Sequence, residues 1–265
     1  MSKLLEKLER ASEGRAQPLG FGAGSSREKT LPMVVLASAT LDHAHLLAAA
    51  ADGGADALLI IAEQPSSDKA LAQLRKAKPA IPWGVRFSSM AREDMAKLID
   101  MGCDFVVFHP ERASASVLTE DRIGKVLDID PSLSDNLVKA AARLSVDAVL
   151  LSPLGEGRTP LTIRQLMELE RLAAGAGKYV LAALPPSLPV EGIEALWSIG
   201  VRGVVVDLTA VDPEERLAQV REAIGKLPAR KKKPKEKLAA RLPSLSGLAT
   251  GRPPGEEEEE PEEEP

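Results

Sequence analysis

Gly54-Ala55-Asp56-Ala57-Leu58-Leu59-Ile60-Ile61, Gly102-Cys103-Asp104-Phe105-Val106-Val107-Phe108, Ser145-Val146-Asp147-Ala148-Val149-Leu150-Leu151 and Gly200-Val201-Arg202-Gly203-Val204-Val205-Val206 are four copies of one short phrase. Each copy is a helix tail, a tight turn with an acidic or basic residue, and then a dense apolar strand. Apolar side chains at successive positions mark strands buried on both faces. Four more runs of this kind lie before and between the copies, so eight strands are expected: residues 33–38, 57–62, 82–87, 105–109, 125–129, 148–152, 179–184 and 203–208. Helical segments alternate with them at 42–51, 67–78, 92–101, 132–144, 162–174, 190–199 and 213–226. Only 111–122 lacks a clear helical pattern, and a short or irregular helix is expected there. Such alternation over about 200 residues predicts a single closed parallel α/β barrel.

The flanks read differently. Leu4, Leu5 and Leu8 recur at helical spacing, which predicts an N-terminal helix over 2–11 that plugs the barrel bottom or packs on its side. Residues 1–30 thus form a helix and linker, 31–227 the barrel, and 228–265 a tail. Gly20-Phe21-Gly22-Ala23-Gly24 precedes a strand, whereas phosphate-binding loops follow one, so a plain linker is expected. At the far end, Asp212-Pro213 predicts a helix start with Asp212 as its cap. The tail is basic over 230–241 and almost pure glutamate over 256–264, a composition that buries too little apolar surface to fold.

The net charge of −5 argues against a nucleic-acid surface, and no apolar run approaches the roughly 20 residues of a membrane span. Cys103 is the single cysteine, so no intrachain disulfide forms and a reducing, cytoplasmic setting is expected. The amphipathic, charged N-terminus has no secretory character.

In a parallel barrel the active site lies at the C-terminal strand ends, where every second side chain points inward. This selects Ser38 and Thr40, Glu63, Arg86, His109, Asp128 and Asp130, Ser152 and Asp207. Arg86 and Asp128 are each followed by another apolar strand residue, so both lie deep enough to need partners. Arg86 pairs with Glu63 or Asp128 either as part of a pocket or as a structural ion pair. Glu63, His109, Asp128 and Asp130 together offer ligands for a divalent metal, with Arg86 free to hold a substrate carboxylate. His43 and His45, two apart, diverge on a helix and read as surface residues. The loop 153–160, with Gly155 and Gly157, reads as a rim element.

Other chemistries are disfavoured. No strand ends in lysine, and Lys125 stands at the start of its strand on the outer face, so neither a Schiff-base aldolase nor PLP is expected. The segments 184–189 and 208–213 have prolines and no glycine, so the phosphate site of FMN or sugar-phosphate enzymes is not expected.

The alternating pattern and the Gly-x-Asp-like turns before the even-numbered strands resemble the aldolase-type (β/α)8 TIM-barrel superfamily over residues 32–227. The resemblance implies a small-molecule enzyme, a lyase or isomerase on a carboxylate substrate. Arg86 would anchor the substrate, His109 and Glu63 would do acid/base work, and Asp128 would orient them. The alternative is a non-catalytic barrel that recruits a protein partner through its charged tail.

Overall fold

The computed structural model describes residues 2–13, 31–62, 81–87, 89, 92–151, 161–185, 188–189, 191–209 and 212–228. The chain divides into two units, Met1–Lys231 and Lys232–Pro265. The second lies outside the described residues, as do the predicted helix at 67–78, Glu63, Ser152, the rim loop 153–160 and the glycine-rich linker.

The first unit is a closed barrel of eight parallel strands in sequence order. They are β1 (Val34–Thr40), β2 (Ala57–Ala62), β3 (Trp83–Phe87), β4 (Phe105–Phe108), β5 (Gly124–Ile129), β6 (Ala148–Leu151), β7 (Tyr179–Ala183) and β8 (Gly203–Asp207). The N-terminal helix α1 (Lys3–Glu13) comes before the barrel. Around it lie α2 (Ala44–Asp52), α3 (Arg92–Asp100), α4 (Asp135–Ala141), α5 (Ile163–Ala176), α6 (Glu191–Ser198) and α7 (Pro213–Lys226).

Alternation along each strand builds two cores. One face, with Met33, Val35 and Ala37 or with Val204 and Val206, packs against the helices. The other, with Val34, Leu36, Leu59, Val107, Val126, Leu150 and Val205, fills the barrel together with Leu4, Leu8 and Ala11 of α1. Of the two placements open to α1, the plug is the observed one. Phe105 is fully buried inside, and β3 yields to it at Gly84, where a Cβ would stand 2.4 Å from the ring and 2.5 Å from the Phe105 carbonyl oxygen.

The repeated phrase has a physical purpose at the barrel floor. Gly54, Gly102 and Gly200 take φ of 88°, 83° and 108°, a region that L side chains rarely adopt, and this turns the chain from helix to strand. The next residue, Ala55, Cys103, Val146 or Val201, is buried in the outer core. The third sends its backbone N–H to the strand before it: Asp56 to Val35, Asp104 to Trp83, Asp147 to Lys125 and Arg202 to Val180. Two of its carboxylates then accept a second bond from that same strand, Asp56 from Val35 N–H at 2.9 Å and Asp147 from Lys125 N–H at 2.8 Å. Asp104 instead caps α1, accepting from Lys3 N–H at 2.7 Å and from Leu4 N–H and the Ser2 hydroxyl at 2.9 and 2.8 Å. Cys103 is therefore a small core residue, and burial pushes its thiol far above the usual range, which leaves it unreactive.

Two local expectations gain detail. The short or irregular helix expected between β4 and β5 is a 3-10 helix, Ala115–Thr119. Lys125, 4% exposed on the outer face of β5, holds it by donating to the carbonyls of Leu118 and Glu120 at 3.2 and 2.9 Å. Asp212 does occupy the cap position of α7, but its φ of 51° leaves its carboxylate without a capping bond.

Candidate active site

Strand register brings the candidate residues together at the C-terminal end of the barrel. Arg86 on β3 is level with Val107 on β4, which is level with Val126 on β5. Arg86 reaches over Val107 and forms an ion pair with Asp128, one pleat higher on β5. Phe108 pairs with Leu127, so His109, the next residue, stands level with Asp128. The three groups occupy adjoining strands because each follows an apolar run of matched length.

Burial divides the ion pair unequally. The Asp128 side chain is 3% exposed and that of Arg86 36%. The carboxylate lies within the barrel as the fixed member, and Arg86 lines a cavity of about 370 Å³. Ile61, Ala62, Arg86, Phe87, His109, Arg112, Asp128 and Asp130 line that cavity. Sequence reasoning named four of them and missed Arg112, which lies beyond the strand. A tight turn positions it: the His109 carbonyl accepts from Arg112 N–H and Ala113 N–H at 3.2 and 3.1 Å.

The same turn orients the His109 ring. Glu111 N–H donates to His109 Nδ1 at 3.3 Å, so the neutral ring carries its proton on Nε2. His109 is thereby set as a hydrogen-bond donor at Nε2. Asp130, also on the cavity wall, is engaged locally. The Ser132 hydroxyl and backbone N–H (the latter at 2.8 Å) hold its carboxyl below the usual range, with a smaller contribution from His109. Replacing Ser132 with alanine is expected to raise the Asp130 pKa while leaving it somewhat depressed through the remaining N–H bond. A depressed carboxyl contributes stability above its ordinary pKa and loses it as pH falls through the lowered value. The variant should therefore lose part of that contribution at neutral pH, with the difference from wild type vanishing as pH falls, and carboxyl-carbon NMR titration reads the shift directly.

The proposed metal set is not assembled by the described residues. Asp128 is turned to Arg86 and Asp130 to Ser132, and no group of three or more His, Cys, Asp or Glu among the described residues is arranged to hold a metal ion. Glu63 is outside them. The remaining strand-end groups form local bonds on the opposite side of the mouth. Ser38 donates to the Val206 carbonyl at 3.3 Å, Thr40 bonds His43 Nδ1 at 2.9 Å, and Asp207 accepts from Thr209 N–H and its hydroxyl at 2.9 and 2.8 Å.

Fold and register define a closed (β/α)8 barrel with an ionisable cavity at the C-terminal end of its strands. The chain is similar to a mutant tryptophan synthase alpha subunit from Pyrococcus furiosus, with a TM-score of 0.56 and 16% identity over 73% of this chain and 98% of that one. It is also similar to tryptophan synthase of Mycobacterium tuberculosis, with a TM-score of 0.57 and 13% identity over 72% and 92%. A protein of Aquifex aeolicus VF5 gives a TM-score of 0.59 and 14% identity over 84% and 99%. At these identities the likeness is one of fold. No family model and no curated protein matches the chain. No helix among the described residues is long and apolar enough to cross a membrane.

Proposed function

We propose that this chain is a small-molecule enzyme, a lyase or isomerase that binds a carboxylate substrate in the cavity above Arg86. The observation that carries this reading is the unequal ion pair. A buried carboxylate holds a guanidinium that is about one-third exposed and lines the cavity, so the arginine keeps donors for a ligand. A carboxylate on that edge forms charge-assisted bonds in the bidentate geometry that arginine favours.

Three roles follow under this reading. Arg86 anchors the substrate carboxylate, and Asp128 positions Arg86. His109 donates from Nε2–H to the oxygen on which charge builds when a neighbouring C–H proton leaves. Glu63, which directly follows β2 in the sequence, receives that proton. Both lyases and isomerases can begin with this step. The cavity volume is comparable to about a dozen waters at roughly 30 Å³ each, which suits a compact metabolite.

The test is a thermal-shift and NMR screen of small mono-, di- and hydroxycarboxylates against the full chain, with Arg86→Lys and Glu63→Gln alongside. Binding is expected in the wild type, with a loss of about tenfold or more in Arg86→Lys, because lysine lacks the planar fork. Hits incubated in D2O should exchange the hydrogen next to the carboxylate in the wild type and not in Glu63→Gln. Carboxylates that bind equally well to wild type and Arg86→Lys would sink the anchor assignment.

A protein partner is also proposed. One similar chain, at 17% identity and a TM-score of 0.56 over 73% of this chain and 95% of that one, comes from the tryptophan synthase a2b2 complex of Pyrococcus furiosus. The tail from residue 229 supplies this chain with opposite charge blocks for such a contact. Deleting it should remove a captured partner and leave the melting temperature unchanged.

A further inference from the structure

Arg112 is a second cationic group at the cavity, and the assigned anchor does not use it. Its side chain is exposed and makes no hydrogen bond or ion pair among the described residues, yet it lines the same cavity as Arg86. Its neighbours are already engaged: Asp128 with Arg86, and Asp130 with Ser132. The turn that brings Arg112 to the cavity also fixes the His109 ring, so this guanidinium and the His109 Nε2–H belong to one rigid corner at the end of β4.

The register places that corner beside the Arg86 guanidinium. Arg86 is bonded to Asp128, which is level with His109, so the anchor and the 109–112 turn stand at one height on adjoining strands. A ligand held by Arg86 therefore has the 109–112 turn within short reach on the wall of the same cavity. We infer that Arg112 is a specificity-determining residue and that the substrate is a short dicarboxylate, one carboxylate on Arg86 and the second on the Arg112–His109 corner.

This inference rests on the proposed carboxylate anchor and adds a second anionic group to it. A monocarboxylate leaves the Arg112 guanidinium in water at no cost. A dicarboxylate gains a charge-assisted contact in a partly desolvated cleft, which favours it by about tenfold, the scale of one hydrogen bond to a charged group.

The experiment compares succinate and glutarate with butyrate by calorimetry and ligand-observed NMR at fixed ionic strength, using the full chain and Arg112→Ala. Arg112 is exposed, so the variant should keep the wild-type melting temperature. The wild type should bind a dicarboxylate about tenfold more tightly than butyrate. Arg112→Ala should bind the dicarboxylate at the butyrate level while butyrate affinity is unchanged. Equal wild-type affinities, or a preference that survives Arg112→Ala, overturn the assignment of Arg112 and leave the Arg86 anchor standing. If neither probe binds, the carboxylate reading itself fails, and this inference fails with it.

Discussion

Replacing Arg86 with methionine is expected to lower the stability of the barrel by about 3 kcal/mol, the low end of the range for breaking a buried ion pair from one side. The Asp128 side chain is 3% exposed, so the variant leaves a carboxylate inside the barrel without its cation. The reverse change, Asp128→Leu, should cost less, about 1 kcal/mol, because the Arg86 guanidinium is one-third exposed and keeps water. The double variant Arg86→Met with Asp128→Leu removes both charges and should recover most of the loss. Urea titrations of the four proteins measure the cycle. An Arg86→Met protein as stable as the wild type would show that the bridge holds nothing, and Asp128 would lose its positioning role. The double variant separates fold from function, since it should regain stability and still fail to retain a carboxylate.

The barrel was legible in the sequence because its strands are apolar at almost every position, a pattern that few other environments tolerate. Seven of the eight predicted strands end within one residue of the observed strand. β1 runs on to Thr40, where its last residues pair with Ile60 and Ile61. The β4–β5 connection was less legible because its order comes from a distant residue, the buried Lys125, and not from a local helical pattern. Asp212 shows the limit of motif reading: the Asp-Pro signal places the helix start correctly, but the capping bond depends on a backbone angle that the motif does not set.

The site follows the same division. Arg86, His109 and Asp128 were found by counting pleats, since strand alternation decides which side chains face inward. The choice of Asp128 as partner of Arg86 could not be read, because it depends on register across three strands. Asp130 shares the Asp128 face by alternation, but β5 ends at Ile129 and the next residues turn its carboxylate to Ser132. Arg112 lies on a turn, where no periodicity operates, and only the bonds to the His109 carbonyl bring it to the cavity.

The other large effect is expected at the opposite end of the barrel. Leu4 and Leu8 of α1 are fully buried and pack with the inward residues of the strands. Truncating either to alanine removes a core side chain at a cost of about 2–5 kcal/mol, and the double variant should lose about 5 kcal/mol or more, short of additivity because both fill one cluster. That approaches the whole stability of an ordinary domain, so the double variant should be largely unfolded at 37 °C. Asp104→Ala tests the same plug from outside the core. It frees the Lys3 and Leu4 N–H groups and the Ser2 hydroxyl, for an expected loss of about 1–2 kcal/mol. Far-UV circular dichroism melts give both numbers. Asp104→Ala should leave carboxylate affinity within about twofold of wild type, because floor and mouth lie at opposite ends of the strands. If it abolished binding at temperatures where the protein is folded, the separation between a floor that holds the barrel and a mouth that binds would be wrong. If the leucine variants melted like the wild type, α1 would be an ornament on the barrel and not its plug.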